Sequence, residues 1–263
     1  SAPTLYYFCH YHSGMGGQAN TNSTFGSSNF SGSIQSTVSA NTTAGFSIVS
    51  YTGTGGVVTI GHGLGAEPKM IIIKSRSNPP ADHWWVYHNS LGNGKSIYLN
   101  LSNASGSTND WNSTSPTSSV FTTNGAQTGI GYNGANFIAY CFAEKKGYSK
   151  FGSYTANNNS DAPFVYTGFK PAWLLLKASN NGSWEWRLSD STRTAFNSST
   201  YHNLFPSTYA AETNHEKDVD YVSNGFKVRS AGNGINNSGY EIIYMAFAES
   251  PFVNSNGVPT NAR

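Results

Sequence analysis

The chain repeats itself, and that constrains its architecture more than any single motif does. Gly65-Ala66-Glu67-Pro68-Lys69-Met70-Ile71-Ile72-Ile73-Lys74 lines up without gaps on Gly168-Phe169-Lys170-Pro171-Ala172-Trp173-Leu174-Leu175-Leu176-Lys177, an offset of 103. Ser50-Tyr51-Thr52 meets Ser153-Tyr154-Thr155 at the same offset. Phe121 then aligns with Phe226, Gly134 with Gly239 and Phe142-Ala143-Glu144 with Phe247-Ala248-Glu249, now at 105. Trp85 comes into register with Trp186 once two residues are dropped. Two copies of a unit of about a hundred residues follow, Phe46 to Glu144 and Phe151 to Glu249, each the size of one β-sandwich domain.

Inside each copy the segments are short, rich in β-branched and aromatic residues, and bounded by Gly, Asn, Ser or Pro, which is the pattern of strands and turns. Phe46 to Tyr51, Val57 to Ile60, Met70 to Lys74, Trp84 to His88 and Ser96 to Leu101 are such segments. Phe137 to Ala143 and Tyr240 to Ala248 are continuous apolar runs, as a central strand covered on both faces requires. Asn133-Gly134 and Asn224-Gly225 are hairpin turn signals, because both residue types accept positive φ. A short helix fits only at Ser207 to Glu216, where Ser207 can cap. The expected fold is all-β: two tandem, duplicated antiparallel β-sandwich units of jelly-roll or lectin-like type with an extended N-terminal arm. The expected division is 1–45 for strand and arm, 46–146 for the first sandwich and 147–263 for the second with its tail. Gln18 to Gly45, small and polar with isolated Phe25, Phe30, Ile34 and Val38, reads as an arm that docks a few side chains on a neighbour.

Composition narrows the function classes. Charged residues are 11 % of the chain and the net charge is +2, with no basic block. The long-range positive field that sequence-independent nucleic-acid binding needs is missing. With 14 % aromatics and 37 % hydrophobics the chain has the means to build a core despite its wealth of Ser, Thr, Asn and Gly. No run approaches the roughly 18 apolar residues of a membrane span, and membrane insertion is not expected. The start at Ser1, with no initiator Met, suggests a piece of something longer.

Candidate sites are few. Cys9, His12 and Met15 are spaced as Cys-x-x-His-x-x-Met, with thiolate and imidazole as strong ligands and thioether as the weak axial one, a ligand set that suits copper. Tyr6-Tyr7-Phe8-Cys9-His10-Tyr11-His12-Ser13-Gly14-Met15 resembles the closing strand and loop of a cupredoxin, without the second His that an upstream strand supplies there. The main expectation is therefore no cofactor, with copper as the alternative. Cys141 aligns with Ala246 and reads as a small buried hydrophobe. Tryptophan faces are platforms for saccharide rings. Trp85 and Trp186 recur between copies and read as core, leaving Trp84, Trp111 and Trp184 as the tentative glycan-binding residues. There is no Gly-x-Ser-x-Gly elbow, no His-Glu-x-x-His and no phosphate loop, so no enzyme is expected. Glu144 and Glu249 are equivalent and read as strand-end groups, not as an acid and base.

Gly45-Phe46-Ser47-Ile48-Val49-Ser50-Tyr51-Thr52-Gly53, Gly61-His62-Gly63-Leu64-Gly65-Ala66-Glu67-Pro68-Lys69-Met70-Ile71-Ile72, Tyr140-Cys141-Phe142-Ala143-Glu144 and Gly147-Tyr148-Ser149-Lys150-Phe151-Gly152-Ser153-Tyr154 are similar to a repeat of virion structural and tail-fibre proteins of marine bacteriophages. Ala248-Glu249-Ser250-Pro251-Phe252 resembles the C-terminal end of the same proteins. The resemblance implies a virion or extracellular location, no catalytic residues, and a fibre or appendage that contacts a host cell-surface receptor or glycan. It also implies other virion proteins as partners and self-association, with a homotrimer expected. Two alternatives stand beside it: a capsid decoration or cement protein, and a secreted copper-binding protein of cupredoxin type.

Overall fold

Short β-branched and aromatic segments cut by Gly, Asn and Pro nucleate helix poorly and pair readily as strands. The computed structural model describes residues 5–8, 16–19, 26–77, 83–125, 129–193, 200–216 and 218–250; these are all-β apart from two single 3-10 turns, Asn89–Leu91 and Gly129–Gly131. β1 (Leu5–Phe8) and β2 (Gly16–Ala19) form an antiparallel hairpin. The first unit follows with β3 (Ser27–Asn29), β4 (Ser36–Asn41), β5 (Phe46–Thr52), β6 (Val57–Gly61), β7 (Pro68–Ser75), β8 (Trp84–His88), β9 (Lys95–Tyr98), β10 (Gly106–Ser107), β11 (Val120–Asn124) and β12 (Asn136–Ala143). Its large sheet runs β10-β9-β8-β7-β12-β5-β4-β3 and faces the small sheet β11-β6. The second unit has β13 (Ser149–Thr155), β14 (Phe164–Tyr166), β15 (Pro171–Ala178), β16 (Arg187–Asp190), β17 (Thr200–Asn203), β18 (Thr213–Glu216), β19 (Val219–Val222), β20 (Gly225–Val228) and β21 (Glu241–Ala248). Here the sheet β13-β21-β15-β16 faces β14-β20-β19, and β17-β18 is a further hairpin.

The duplication recurs in the ladders. Ile48 pairs with Tyr140 where Phe151 pairs with Met245. Both central strands slip register at the same point, where Pro68 meets Ala143 and Pro171 meets Ala248. The ladders also correct one alignment. Ile73 faces Trp85, and its equivalent Leu176 faces Arg187, so Arg187 matches Trp85 and Trp186 matches Trp84. Another correction concerns Ser207 to Glu216: no helix forms there, because Thr213–Glu216 is committed to strand pairing with Thr200–Asn203. The Asn224-Gly225 signal does mark the tight β19-β20 hairpin.

Each sandwich closes over its own core, around Val49, Tyr51, Ile73, Trp85 and Phe137 in the first and around Tyr154, Leu174, Leu176, Phe226 and Tyr244 in the second. Strand alternation sends Met70, Ile72, Val86 and Ile97 to the opposite face of the first large sheet. There they pack on Phe151, Leu175, Trp186, Ile243 and Met245 in a third buried cluster, so the two units stand back to back. This is why Phe137 to Ala143 and Ile242 to Ala248 are apolar throughout: β12 and β21 are covered on both sides. Three hydrogen bonds lock the join: His88 Nε2 donates to Tyr244 O at 3.1 Å, Trp186 Nε1 to Tyr98 O at 2.8 Å, and Ser105 N to Ser179 O at 2.7 Å. The faces that meet are the outer faces of the two large sheets.

Residues 27–41, read from sequence as an arm, extend the large sheet of the first unit. β3 and β4 add beyond β5, with Val38 opposite Val49, and Ile34 bridges Ile60 in the small sheet. Val38 and Ile34 thereby join the first core, while Phe30 points to solvent and Phe25 lies outside the described residues.

Candidate functional site

Of the tryptophans expected at the surface, Trp111 is corrected outright: it is 1 % exposed. Its Nε1 donates to Ser96 Oγ at 2.9 Å, Ser96 Oγ donates in turn to Asp110 Oδ2 at 2.6 Å, and the indole packs edge-on against Tyr87. A ring with its edge bonded and its face covered offers nothing to a sugar. Trp84 is half-buried beside the inter-unit cluster, its ring nearly parallel to that of Tyr140 at 6.4 Å. Trp184, also half-buried, lies over Gly234 so closely that a Cβ there meets the indole at 2.5 Å, and the Arg187 guanidinium sits 5.8 Å from its ring. The three tryptophans occupy three separate environments and make no common platform. Cys9, His12 and Met15 lie outside the described residues.

One charged network stays at the surface, where Arg193 pairs with Asp190 and Glu212 at 2.7 Å each and His202 Nδ1 lies 3.0 Å from Glu212 Oε1; several other groups capable of chemistry are turned inward. His62 and His88 are both buried and use the same pattern: Nδ1 accepts the backbone N–H two residues on, from Leu64 and Ser90, while Nε2–H donates to a distant carbonyl, Thr117 O and Tyr244 O. Burial pushes both imidazoles below their usual pKa, His88 to about 4, so both are neutral at pH 7. Cys141 has no exposed surface and burial raises its thiol to about 12. Lys177 is sealed as well, with Nζ donating to Ala178 O at 2.7 Å and Asn181 O at 3.0 Å; burial lowers its pKa to about 8. Arg187 and Asp218, separated by 31 residues and so invisible to local pattern reading, form a buried ion pair at 2.7 Å. Asn203 Nδ2 donates to the other Asp218 oxygen at 2.6 Å. Glu144 and Glu249 end their strands in ion pairs with Lys150 and Lys170.

Phe30, Tyr132 and Tyr209 are exposed in loops, and two further exposed aromatics share one strand, β14. Phe164 is 47 % exposed and Tyr166 is 64 % exposed, and two-residue spacing puts both on the outer face of the small sheet. Tyr166 stands opposite Gly225, which has no side chain to cover it, and its hydroxyl end lies near Gly168. Lys227, opposite Phe164, pairs with Asp161 at 2.7 Å, and that ammonium holds the Asp161 carboxyl below its usual range. The equivalent positions in the first unit are Thr59 and Gly61, since Ile60 faces Phe121 where Val165 faces Phe226. Comparing Phe164-x-Tyr166 with Thr59-x-Gly61 was the available sequence signal, but its meaning depends on an edge that only the fold exposes. Among the described residues no cluster of three His, Cys, Asp or Glu side chains suits a metal ion, and no helix is long and apolar enough to cross a membrane.

Two repeated sandwiches welded into one body, with a solvent-facing aromatic strand, define a tandem-repeat all-β protein. The chain belongs to the family described as Domain of unknown function (DUF7483), which matches residues 19–251 and so takes in both units together with β3 and β4. No curated protein matches the chain, and no solved structure does.

Proposed function

We propose that the chain is a non-enzymatic structural subunit of a bacteriophage particle, part of a tail fibre or similar appendage that meets the host surface. The observation that carries this reading is the fate of the reactive side chains. His62, His88, Cys141, Lys177, Arg187 and Asp218 are all buried, and all of them but Cys141 are hydrogen-bonded within the protein, so they serve the interior of the two sandwiches and, at His88, the join between them. The resemblance of the repeat to virion structural and tail-fibre proteins supplies the setting. A near-neutral, turn-rich surface carrying exposed aromatics suits contact with other proteins or with saccharides.

Gold-labelled antibody against the protein, applied to phage particles and viewed by electron microscopy, tests this reading. Label on fibres or other appendages supports it. Label spread over the capsid moves the assignment to a decoration protein, and particles without label defeat both. A glycan array on the same protein then asks whether host contact is through sugar, and a native mass measurement asks for the expected trimer. Titration with copper, read at visible wavelengths, decides the role of Cys9, His12 and Met15.

A further inference from the structure

The two units differ at one lateral edge. In the first, the outward backbone groups of β5 and β6 are both taken by a single segment. β4 pairs along β5, with Thr37 opposite Ser50, and Ile34 N and Ser36 Oγ donate to Thr59 O and Gly61 O on β6. Ser33 Oγ also accepts from Thr59 N. The fit is tight: a Cβ on Gly32 meets Thr59 O at 2.2 Å, and one on Gly61 meets Asn29 Oδ1 at 2.1 Å.

Among the described residues, the same edge of the second unit has no such cover. Tyr148 O accepts from Ala248 N and Ala156 N donates to Tyr240 O, so alternation turns the N–H and C=O of Ser153 and Thr155 away from β21. On β14, Val228 N donates to Pro163 O and Thr167 N to Asn224 O, which turns the backbone groups of Phe164 and Tyr166 away from β20. No described residue pairs with these outward groups. The core behind the edge is correspondingly less covered: Tyr154 is 9 % exposed against 3 % for Tyr51, and Val165 7 % against 0 % for Ile60. Where the covered strand carries Thr59 and Gly61, the bare one carries Phe164 and Tyr166, so the uncovered position holds the larger apolar surface.

We propose that this edge of the second unit, formed by β13 and β14, is a strand-acceptor site for an uncharged extended segment of a neighbouring protein subunit, bound as the first unit binds its own residues 33–41. The occupant's chemistry is read from the filled slot: Ser33-Ile34-Gln35-Ser36-Thr37-Val38-Ser39-Ala40-Asn41 has no charge, hydroxyls that reach the small sheet, and β-branched residues that pair along the large one. Backbone pairing to Ser153 and Thr155 supplies affinity, and Phe164 and Tyr166 supply the side-chain contact. The site does not depend on the phage assignment.

The probe is a fluorescent synthetic peptide of residues 31–42, titrated into the whole protein by anisotropy, with hydrogen exchange on the same complex. Saturable binding that protects Ser153–Thr155 and Phe164–Tyr166 is the expected result. Ser153→Pro and Phe164→Pro each remove an outward donor while leaving the ladder bonds to β21 and β20 in place, and each should weaken binding tenfold or more. Should a proline variant not fold, Tyr166→Gly, which restores the first unit's residue, replaces it with the same expectation. Absence of binding at millimolar peptide, protection at β5 and β6 instead, or affinity unchanged in folded variants overturns the proposal.

Discussion

The Tyr51 hydroxyl donates to Ile130 O at 2.7 Å, and 103 residues on the Tyr154 hydroxyl donates to Ile235 O at 2.8 Å. Each bond spans about eighty residues of chain and ties a strand of the large sheet to the loop that closes the sandwich. Burial raises the pKa of both phenols, so each remains a neutral donor. Replacing either by Phe leaves a buried carbonyl unpaired. Tyr51→Phe and Tyr154→Phe are each expected to cost about 1–2 kcal/mol in urea denaturation. A loss below about 0.3 kcal/mol at both sites means that the carbonyls find other partners.

The second core does without Val49 by a trade between neighbouring strands. Gly152 stands at the position of Val49, and Tyr244 at that of Ala139, and a Cβ on Gly152 meets Tyr244 Oη at 2.7 Å. The large ring thus lies where the missing side chain was. Gly152→Val alone is expected to destabilise by about 1–3 kcal/mol through overpacking. Tyr244→Ala alone costs about 3–5 kcal/mol through the cavity it leaves. The double variant rebuilds the first unit's pair and should be more stable than the sum of the two losses by at least about 1 kcal/mol. Simple additivity in the thermal or urea cycle removes the claim that the two positions exchanged volume.

The same contrast shows what local patterning can and cannot carry. The repeat, the strand segments and the two central apolar strands are periodic features, and β7, β8, β12 and β21 lie within a residue or two of where alternation and turn residues put them. Apolarity on both faces of β12 says that two covers exist, not that one of them is the other unit. Alignment by identity paired Trp85 with Trp186, whereas the ladder pairs Trp84 with Trp186 and sets Arg187 against Trp85. Identity misled because a Trp-Trp pair offers two registers, and the hydrogen-bond ladder accepts only one. The Trp111 side chain, isolated in a polar loop, reads as exposed until the Ser96 and Asp110 bonds fold that loop over the core. Nothing in the sequence marks Phe164 and Tyr166 as exposed, because a Phe-x-Tyr strand is indistinguishable from a buried one without knowledge of its sheet edge.

Arg187 in place of Trp85 puts a charge into the second core, and Asp218 answers it at 2.7 Å. Removing one partner leaves the other buried and uncompensated. Asp218→Ala is expected to cost about 3–5 kcal/mol, whereas Arg187→Met with Asp218→Leu, which removes both charges, should come within about 2 kcal/mol of the parent. Denaturation of the single and double variants reads this directly. A double variant as unstable as the single one points to Asn203, which loses its Asp218 partner in both, as the group that matters.

His88 makes the join between the units sensitive to acid. Its Nδ1 must stay unprotonated to accept Ser90 N–H while Nε2–H reaches across to Tyr244 O. Burial depresses its pKa from 6.5 to about 4 in the folded protein, so the unfolded chain binds the proton first as pH falls. The stability contribution is therefore complete above about pH 6.5, declines as pH drops, and is lost by about pH 4, a difference of about 3 kcal/mol. His62, lowered for the same reason, acts in the same direction. Thermal melts between pH 7.5 and 4 should show a falling midpoint in the parent and a shallower fall in His88→Gln, whose amide does not titrate. Parallel curves for parent and variant would show that the fall comes from other groups and that the His88 bridge is indifferent to pH.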